Sequence, residues 1–341
     1  MEIIGLDIGR SAIKGAGEGT RLFGLPMLAR PPKDEQWRRA GTLDRVIERD
    51  GLRHLESLLL TYNGQEWLVG EYGERVGLPA MHVMTVDKAD ESTRVLALAA
   101  LVALDAPTTC QLCVGLPLHG YLQQGQVLSE LLRGEHRVGV GGRNRLFLLK
   151  GTVVPEGLGL WARAASPEGA TLDGGLLGLP TVVLDFGHRT IQVSAFQGPR
   201  LVGQPYVSAH GVYEVWEAAL IEAFEGPSQT VFESPQRAVL MSEMLRDGEL
   251  SVRGTRLTFD EFRLCLLRHA GTRWERLRSE MSRALAGVQY SRVVAGGGGV
   301  TLFSGLLREV FGDQTVVLDD RFAQAEGYRL IAQHQAMIER V

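Results

Sequence analysis

The chain has 341 residues, 45% of them hydrophobic and 22% charged, which is enough for two ordinary domains with separate cores. A formal net charge of -4 excludes the chain-wide basic excess of proteins that grip nucleic acid through its phosphates, so any link to DNA is expected to run through a partner. The longest apolar stretches, such as Val95 to Leu104, are about ten residues and too short to cross a bilayer, so no membrane insertion and a cytoplasmic location are expected.

In chain order, Met1 to Leu6 reads as a buried strand, Gly9 to Ser11 as a turn and Ala12 to Ala16 as the returning strand of a hairpin. Residues 26–50 are polar and aperiodic, as a surface insertion would be, and Trp67 to Gly70 form a short strand. Ser92 is expected to cap a mostly buried helix to Leu104. A strand follows over Gln111 to Val114; it sends Cys110 and Cys113 to opposite faces, so their CxxC spacing reads as core filling. Gly120 to Arg133 has a helical pattern. Val138 to Val140, Leu146 to Leu149 and Val153-Val154 read as strands, the first two split by a Gly-Gly-Arg-Asn turn, and Pro155 stops the sheet. A helix over Leu158 to Ala165 leads into the loose segment 166–178, the best domain boundary.

Beyond it the opening plan restarts, with a strand over Thr181 to Leu184, a turn over Asp185 to Arg189, and strands over Thr190 to Phe196 and Arg200 to Tyr206. This loose internal duplication says more than either copy. Gly211 to Phe224 is expected to be a helix. Phe262 to Val288 holds one or two more, with Leu264, Leu267, Trp274, Leu277, Met281 and Leu285 as the core stripe. Val293 to Ala295 is a strand running into Gly296 to Gly299, Leu302 to Phe311 a helix, Thr315 to Leu318 the last strand, and a helix starts at Phe322. The domains are expected at 1–165, with the terminal helix 322–341 packing back on it, and at 166–321.

Two Asp-x-Gly turns at strand ends, Asp7-Ile8-Gly9 and Asp185-Phe186-Gly187, are suited to meet across a cleft and offer backbone N–H groups to a polyphosphate. Each aspartate can hold a hydrated Mg²⁺, which keeps several waters and takes only one or two carboxylates. Lys14 lies on the returning strand as a point charge for the phosphates. Gly296, Gly297, Gly298 and Gly299, between a strand and a helix, make a flat backbone surface for a base, a ribose or an α-phosphate. The chain has neither a GxxxxGK[ST] loop nor the GxGxxG spacing of a dinucleotide site. Singly, each feature is more often a plain turn.

In this order, Gly5 to Gly9 through Lys14, Val153 to Gly157, Leu184 to Gly187 through Thr190, and Ala295 to Gly299 resemble the actin and heat-shock-chaperone ATPase superfamily. Within it the likeness is to plasmid-segregation actins of the ParM or StbA type, over nearly the whole chain. Asp87-Lys88, Gly115-Leu116-Pro117 and 320–328 add to it. The resemblance implies an α/β, duplicated, actin-like (ribonuclease H-like) fold. It further implies a filament-forming ATPase for plasmid or other DNA segregation, with ATP (GTP is possible) and Mg²⁺ between the domains, a homopolymer as the assembly and a DNA-binding adaptor protein as partner. By the same resemblance Asp7 and Asp185 manage metal and attacking water, Lys14 the β and γ phosphates, Gly187 and Thr190 the second phosphate loop, and Glu156 the water. Ser208-Ala209-His210-Gly211 leads into a helix whose Glu214 lies near ribose and base.

This chain departs from that pattern in both loops. Arg10 follows Gly9, with Ser11 only next, and His188 and Arg189 intervene before Thr190. His188 is expected to face solvent; Arg189 stays open between solvent and phosphate. Ser208 reads equally well as a helix cap, and Glu156 as a carboxylate favouring a helix dipole. Two other functions fit the same fold: a non-polymerising ATP-binding scaffold of the pilus-assembly type, and a sugar or acetate kinase, for which no acceptor motif with a placed aspartate is seen.

Overall fold

The computed structural model describes residues 1–31, 44–75, 78, 81–82, 89–166, 178, 180–208, 210–225, 240, 244, 247–252 and 255–338. The chain forms two compact units, one of Met1–Asp173 with Phe322–Val341 and one of Gly174–Arg321. The sequence-based boundary falls largely on 167–177, outside the described residues, as do 32–43 and Asp87-Lys88.

The first unit opens with a meander of β1 (Glu2–Ile8), β2 (Ile13–Ala16) and β3 (Arg21–Gly24). Strands β4 (Met27–Ala29), β5 (Arg45–Arg49), β6 (Leu52–Tyr62), β7 (Gln65–Val69) and β8 (Met81–His82) extend it. The expected polar insertion thus begins with a buried strand, β4, and ends with an exposed one, β5. Helix α1 (Glu91–Ala103) follows. Its cap is Asp90, whose side chain accepts from the Thr93 N–H at 2.9 Å, in place of Ser92. An aspartate caps as well as a serine and adds a charge that favours the helix dipole.

Next come β9 (Thr109–Leu116), α2 (Leu118–Leu132), β10 (Gly134–Val140), β11 (Arg143–Pro155) and α3 (Leu158–Ala164). Only Gly141 and Gly142 make the β10–β11 turn, both at positive φ, and Arg143 and Asn144 are already paired in β11. The two later strands expected there are one, because Gly151 continues the ladder. Strand β10 also pairs with β6, so the sheet β6-β3-β2-β1-β9-β11-β10 closes on itself. Helix α1 packs against β1, β2, β6 and β7, and Val95 through Leu101 are fully buried on every face of the helix.

The second unit contains β12 (Pro180–Phe186), β13 (Ile191–Gln197), β14 (Arg200–Ser208), α4 (Tyr213–Leu220), β15 (Glu249–Val252) and β16 (Thr255–Thr258). It continues with α5 (Phe259–Ala284), β17 (Arg292–Gly296), α6 (Ser304–Phe311) and β18 (Thr315–Val317). Its sheet order is β14-β13-β12-β17-β18, and the first unit carries the matching order β3-β2-β1-β9-β11. In each, the first strand pairs antiparallel with the second and parallel with the fourth. The duplication is therefore one of a whole five-stranded sheet.

Helix α4 is shorter than expected and passes into a π-helical turn at Ile221–Glu225. Helix α5 is a single element, started by a capping box of Thr258 and Glu261. Its core face is Phe262, Leu266, Ala270, Trp274, Leu277 and Met281, whereas Leu264 is 66% and Leu267 39% exposed. Two residues from Phe262 is about 200° around a helix, so Leu264 lies opposite the core.

The last helix, α7 (Ala323–Ile338), belongs to the first unit. It crosses β1, β9 and α3 at backbone distance: a Cβ on Gly5 would overlap the Ala325 carbonyl, and one on Gly327 would overlap that of Gly159. The fully buried Tyr328 ring fills the space beside Gly115. Glu326 pairs with Arg21 and, at 2.9 Å, with Arg163.

Candidate functional site

In α/β sheets, closed or open, ligands bind beyond the carboxyl ends of the parallel strands. Strands β1, β9 and β11 are parallel, with Leu6, Val114 and Val153 in one row. Asp7 lies one residue past that row and Glu156 three, so both carboxylates stand at the carboxyl edge. Asp7 is directly opposite Lys14, and Nζ of Lys14 donates to Oδ2 of Asp7 at 3.0 Å. Both side chains are nearly buried. The turn between them is Gly9, Arg10, Ser11 and Ala12, closed by the Gly9 N–H on the Ala12 carbonyl at 2.9 Å. Arg10 and Ser11 are half-buried.

Glu156 is buried at a strand-to-helix elbow. Its N–H donates to the Leu116 carbonyl at 2.6 Å. Gly157, at φ +88°, donates its N–H to Oε1 of the buried Gln324 at 3.3 Å. Gly157 is the residue that caps α3, so Glu156 stands one residue outside that helix.

The second hairpin repeats the first in register. Asp185 faces Gln192, seven residues on, as Asp7 faces Lys14. Its turn is Gly187, His188, Arg189 and Thr190, and a Cβ on Gly187 would sit 2.7 Å from the Thr190 carbonyl. Here helix α4 backs the turn. The Val212 N–H donates to the Gly187 carbonyl at 3.1 Å and the Tyr213 N–H to the His188 carbonyl at 2.7 Å. In a trans peptide the carbonyl and the next N–H point opposite ways. The N–H groups of His188 and Arg189 are therefore directed away from α4, side by side, as an anion-binding nest requires.

His188 and Arg189 are half-buried and pack on one ring. The His188 ring meets Tyr213 edge-on at 5.0 Å, and the Arg189 guanidinium lies 3.9 Å above the same ring. Gly211 is the gap that admits the turn, since a Cβ there would overlap the backbone of residues 188–190.

The glycine run is not uniform. Gly296 pairs with Asp185 across the parallel strands. Gly297, at φ +95°, lies where a Cβ would be 2.5 Å from Oδ1 of Asp185, and the Gly299 N–H donates to the Phe186 carbonyl at 3.1 Å. A Cβ on Gly299 would overlap Val212, while one on Gly298 would meet nothing within 4 Å. Gly296, Gly297 and Gly299 shape the turn, and Gly298 presents open backbone.

Ser208 is not a helix cap; α4 starts at Val212 without a side-chain cap. Its hydroxyl instead donates to Oε2 of Glu280 at 2.8 Å and accepts from the His210 N–H at 3.2 Å. Burial alone would raise the Glu280 carboxyl, but the Ser208 and Arg276 hydrogen bonds and the nearby positive charges hold it below its ordinary value. Arg276 also meets Nε2 of His210, and a guanidinium only donates, so the His210 proton sits on Nδ1, against Glu214. Arg273 holds the other Glu214 oxygen.

The residues present suit a magnesium-bound polyphosphate. Each unit ends a buried strand in one aspartate beside a glycine-tight turn, the first with a lysine and the second with paired N–H groups. Among the described residues no three His, Cys, Asp or Glu side chains converge as a metal cage. A cation that arrives with its own waters and phosphates needs none. The CxxC thiols are buried, with Cys110 pushed up to about 11 by burial and the Glu2 carboxylate, and Cys113 higher still by burial.

Sequence reasoning missed Gln192 and Tyr213. The first was open to discovery by laying the seven-residue Asp7 to Lys14 spacing onto Asp185. The second had no local signal.

Residues 5–159 match the family model described as the N-terminal domain of actin like proteins. The chain has an actin-like fold. Its fold is shared along the whole chain with solved structures of low sequence identity. The apo psk41 ParM protein is 16% identical at a TM-score of 0.70, with 100% of this chain and 99% of that one covered. An archaeal actin homolog, Ta0583, solved in complex with ADP, is 19% identical at a TM-score of 0.73, over 98% and 100%. A 15-stranded ParM filament from Clostridium botulinum is 16% identical at a TM-score of 0.67, over 98% and 99%. No curated protein matches the actin-like chain. Among its described residues no helix is long and apolar enough to cross a membrane.

Proposed function

We propose that this actin-like protein binds Mg-ATP, hydrolyses it and assembles into homopolymeric filaments that segregate plasmid or similar DNA through an adaptor protein. The observation that carries the reading is the repeated hairpin: Asp7 and Asp185 end the same strand of two sheets with the same order, each followed by a four-residue turn opened by glycine. The ADP bound to an archaeal homologue and the filament built by a ParM protein support nucleotide binding and self-assembly.

In this reading Asp7 and Asp185 hold the waters of the metal, and Lys14 neutralises phosphate charge. The N–H groups of Arg10 and Ser11 in the first turn and of His188 and Arg189 in the second bind phosphate oxygens. Gly298 leaves open backbone for ribose and base beside the turns that Gly296, Gly297, Gly299 and Gly211 shape, and a ribose hydroxyl at Glu214 shares that carboxylate with His210 and Arg273. Glu156, its backbone fixed on both sides, orients the attacking water. The metal supplies charge stabilisation at the transferring phosphoryl group.

Calorimetric titration with ATP and Mg²⁺, followed by sedimentation in ATP and in ADP, tests the proposal. Binding heat with a pellet in ATP alone is the expected result. Absence of heat removes the nucleotide site, and binding without a pellet over a wide range of protein and salt removes the filament.

A further inference from the structure

The second turn carries two bulky residues, a histidine and an arginine, where close approach of a phosphate favours small ones. Its N–H groups at His188 and Arg189 point away from α4, yet both side chains turn back toward α4 and meet one ring, that of Tyr213. Tyr213 is itself 8% exposed, and its own N–H holds the His188 carbonyl. One residue therefore fixes both faces of the turn. Its backbone orients the peptide, and its ring draws the side chains off the side on which the N–H groups stand.

We propose that Tyr213 is a positioning residue for nucleotide binding, holding His188 and Arg189 clear of the phosphate face of the turn. This rests on the nucleotide reading above. The backbone bond survives any substitution but proline, so the ring is the part that can be tested. A guanidinium over a tyrosine face gains more than over an aliphatic chain because the ring presents negative potential. Losing that platform leaves both side chains to occupy the volume in which a phosphate would sit.

A double-mutant cycle separates this role from plain packing. In the full-length protein, Tyr213→Leu is expected to weaken Mg-ATP binding by about tenfold, the scale of one partly desolvated cation–π contact, and Tyr213→Phe to restore it. In a His188→Ser, Arg189→Ser background the same Tyr213→Leu change should cost less than about twofold, because nothing bulky is left to hold back. An equal loss in both backgrounds overturns the proposal and leaves Tyr213 as core packing. Should Tyr213→Leu melt before assay, Tyr213→Met, which fills the volume without a ring face, runs the same cycle. If the unmodified protein binds no nucleotide, the parent reading has failed; if it binds and the cycle is additive, only this inference has.

Discussion

Asp7 and Asp185 end equivalent strands, but their surroundings differ in kind. Asp7 carries its counter-charge on the next strand, where Lys14 reaches it at 3.0 Å. Asp185 faces Gln192 across its hairpin, with Gly297 close against its carboxylate and Gly211 behind its turn. The first hairpin thus sets a lysine opposite its aspartate and the second a glutamine. Duplicated sheets preserve where a site falls while leaving each copy free to stabilise the bound anion by a different means.

The contrast breaks most sharply at Asp185. Asp185→Ala should lower ATP turnover by about 10³ or more, because alanine offers no oxygen to the metal's waters. Single-turnover phosphate release measures this, and turnover within tenfold of the parent would reverse the assignment. Glu156→Ala should slow the same step by about 10² with ATP affinity spared.

Lys14→Gln makes the first hairpin chemically like the second. It should weaken ATP binding by about 10-fold to 100-fold in calorimetry, the loss of one charge-assisted contact. The protein should also melt lower without nucleotide, since Asp7 loses its counter-ion.

Within the glycine run, Gly297→Ala and Gly298→Ala should divide. The first forces a side chain into a positive-φ residue against Asp185 and should cost about 1–3 kcal/mol of stability in a denaturant titration. The second meets no protein atom and should leave the melting curve in place while weakening nucleotide binding.

The smallest effect is expected away from both hairpins, at His136. The Leu132 carbonyl can only accept, so the proton sits on Nε2, and the Tyr62 hydroxyl donates to Nδ1 at 3.0 Å. Burial lowers the His136 pKa below 6.5, partly opposed by the Leu132 hydrogen bond and helped by the charge of Arg94, which lies over the Tyr62 ring. The folded chain therefore refuses a proton that the unfolded chain accepts. Stability is fully present above pH 6.5 and falls as pH drops from there toward the folded pKa. His136→Gln should flatten that part of a melting-temperature profile between about pH 7.5 and 5.5.

The two acidic turns and the strand before the glycine run were legible because each is local: a strand, an aspartate and a glycine within a few residues. The closed sheet of the first unit was not. Strand β6 has a buried run of Leu55 to Leu58 with no clean alternation, and its pairing with β10 joins Tyr62 to Val138. Ser208 shows the same limit, since its sequence neighbours suit a cap and its partner, Glu280, lies 72 residues away. Tyr213 looks like any aromatic at a helix start until the turn 24 residues before it is folded beneath it. Arg189 shifted from undecided to stacked for that reason.

Helix α7 gives the molecule an order of manufacture. The ribosome delivers Gly5, Gly115 and Gly159 long before it delivers Ala325, Gly327 and Tyr328, which close over them. The second unit, encoded between them, is complete at Arg321 and can mature while the first still lacks its lid. Until that helix emerges, the seam along β1 and β9 stays uncovered, so the first unit cannot finish packing before Tyr328 has been made.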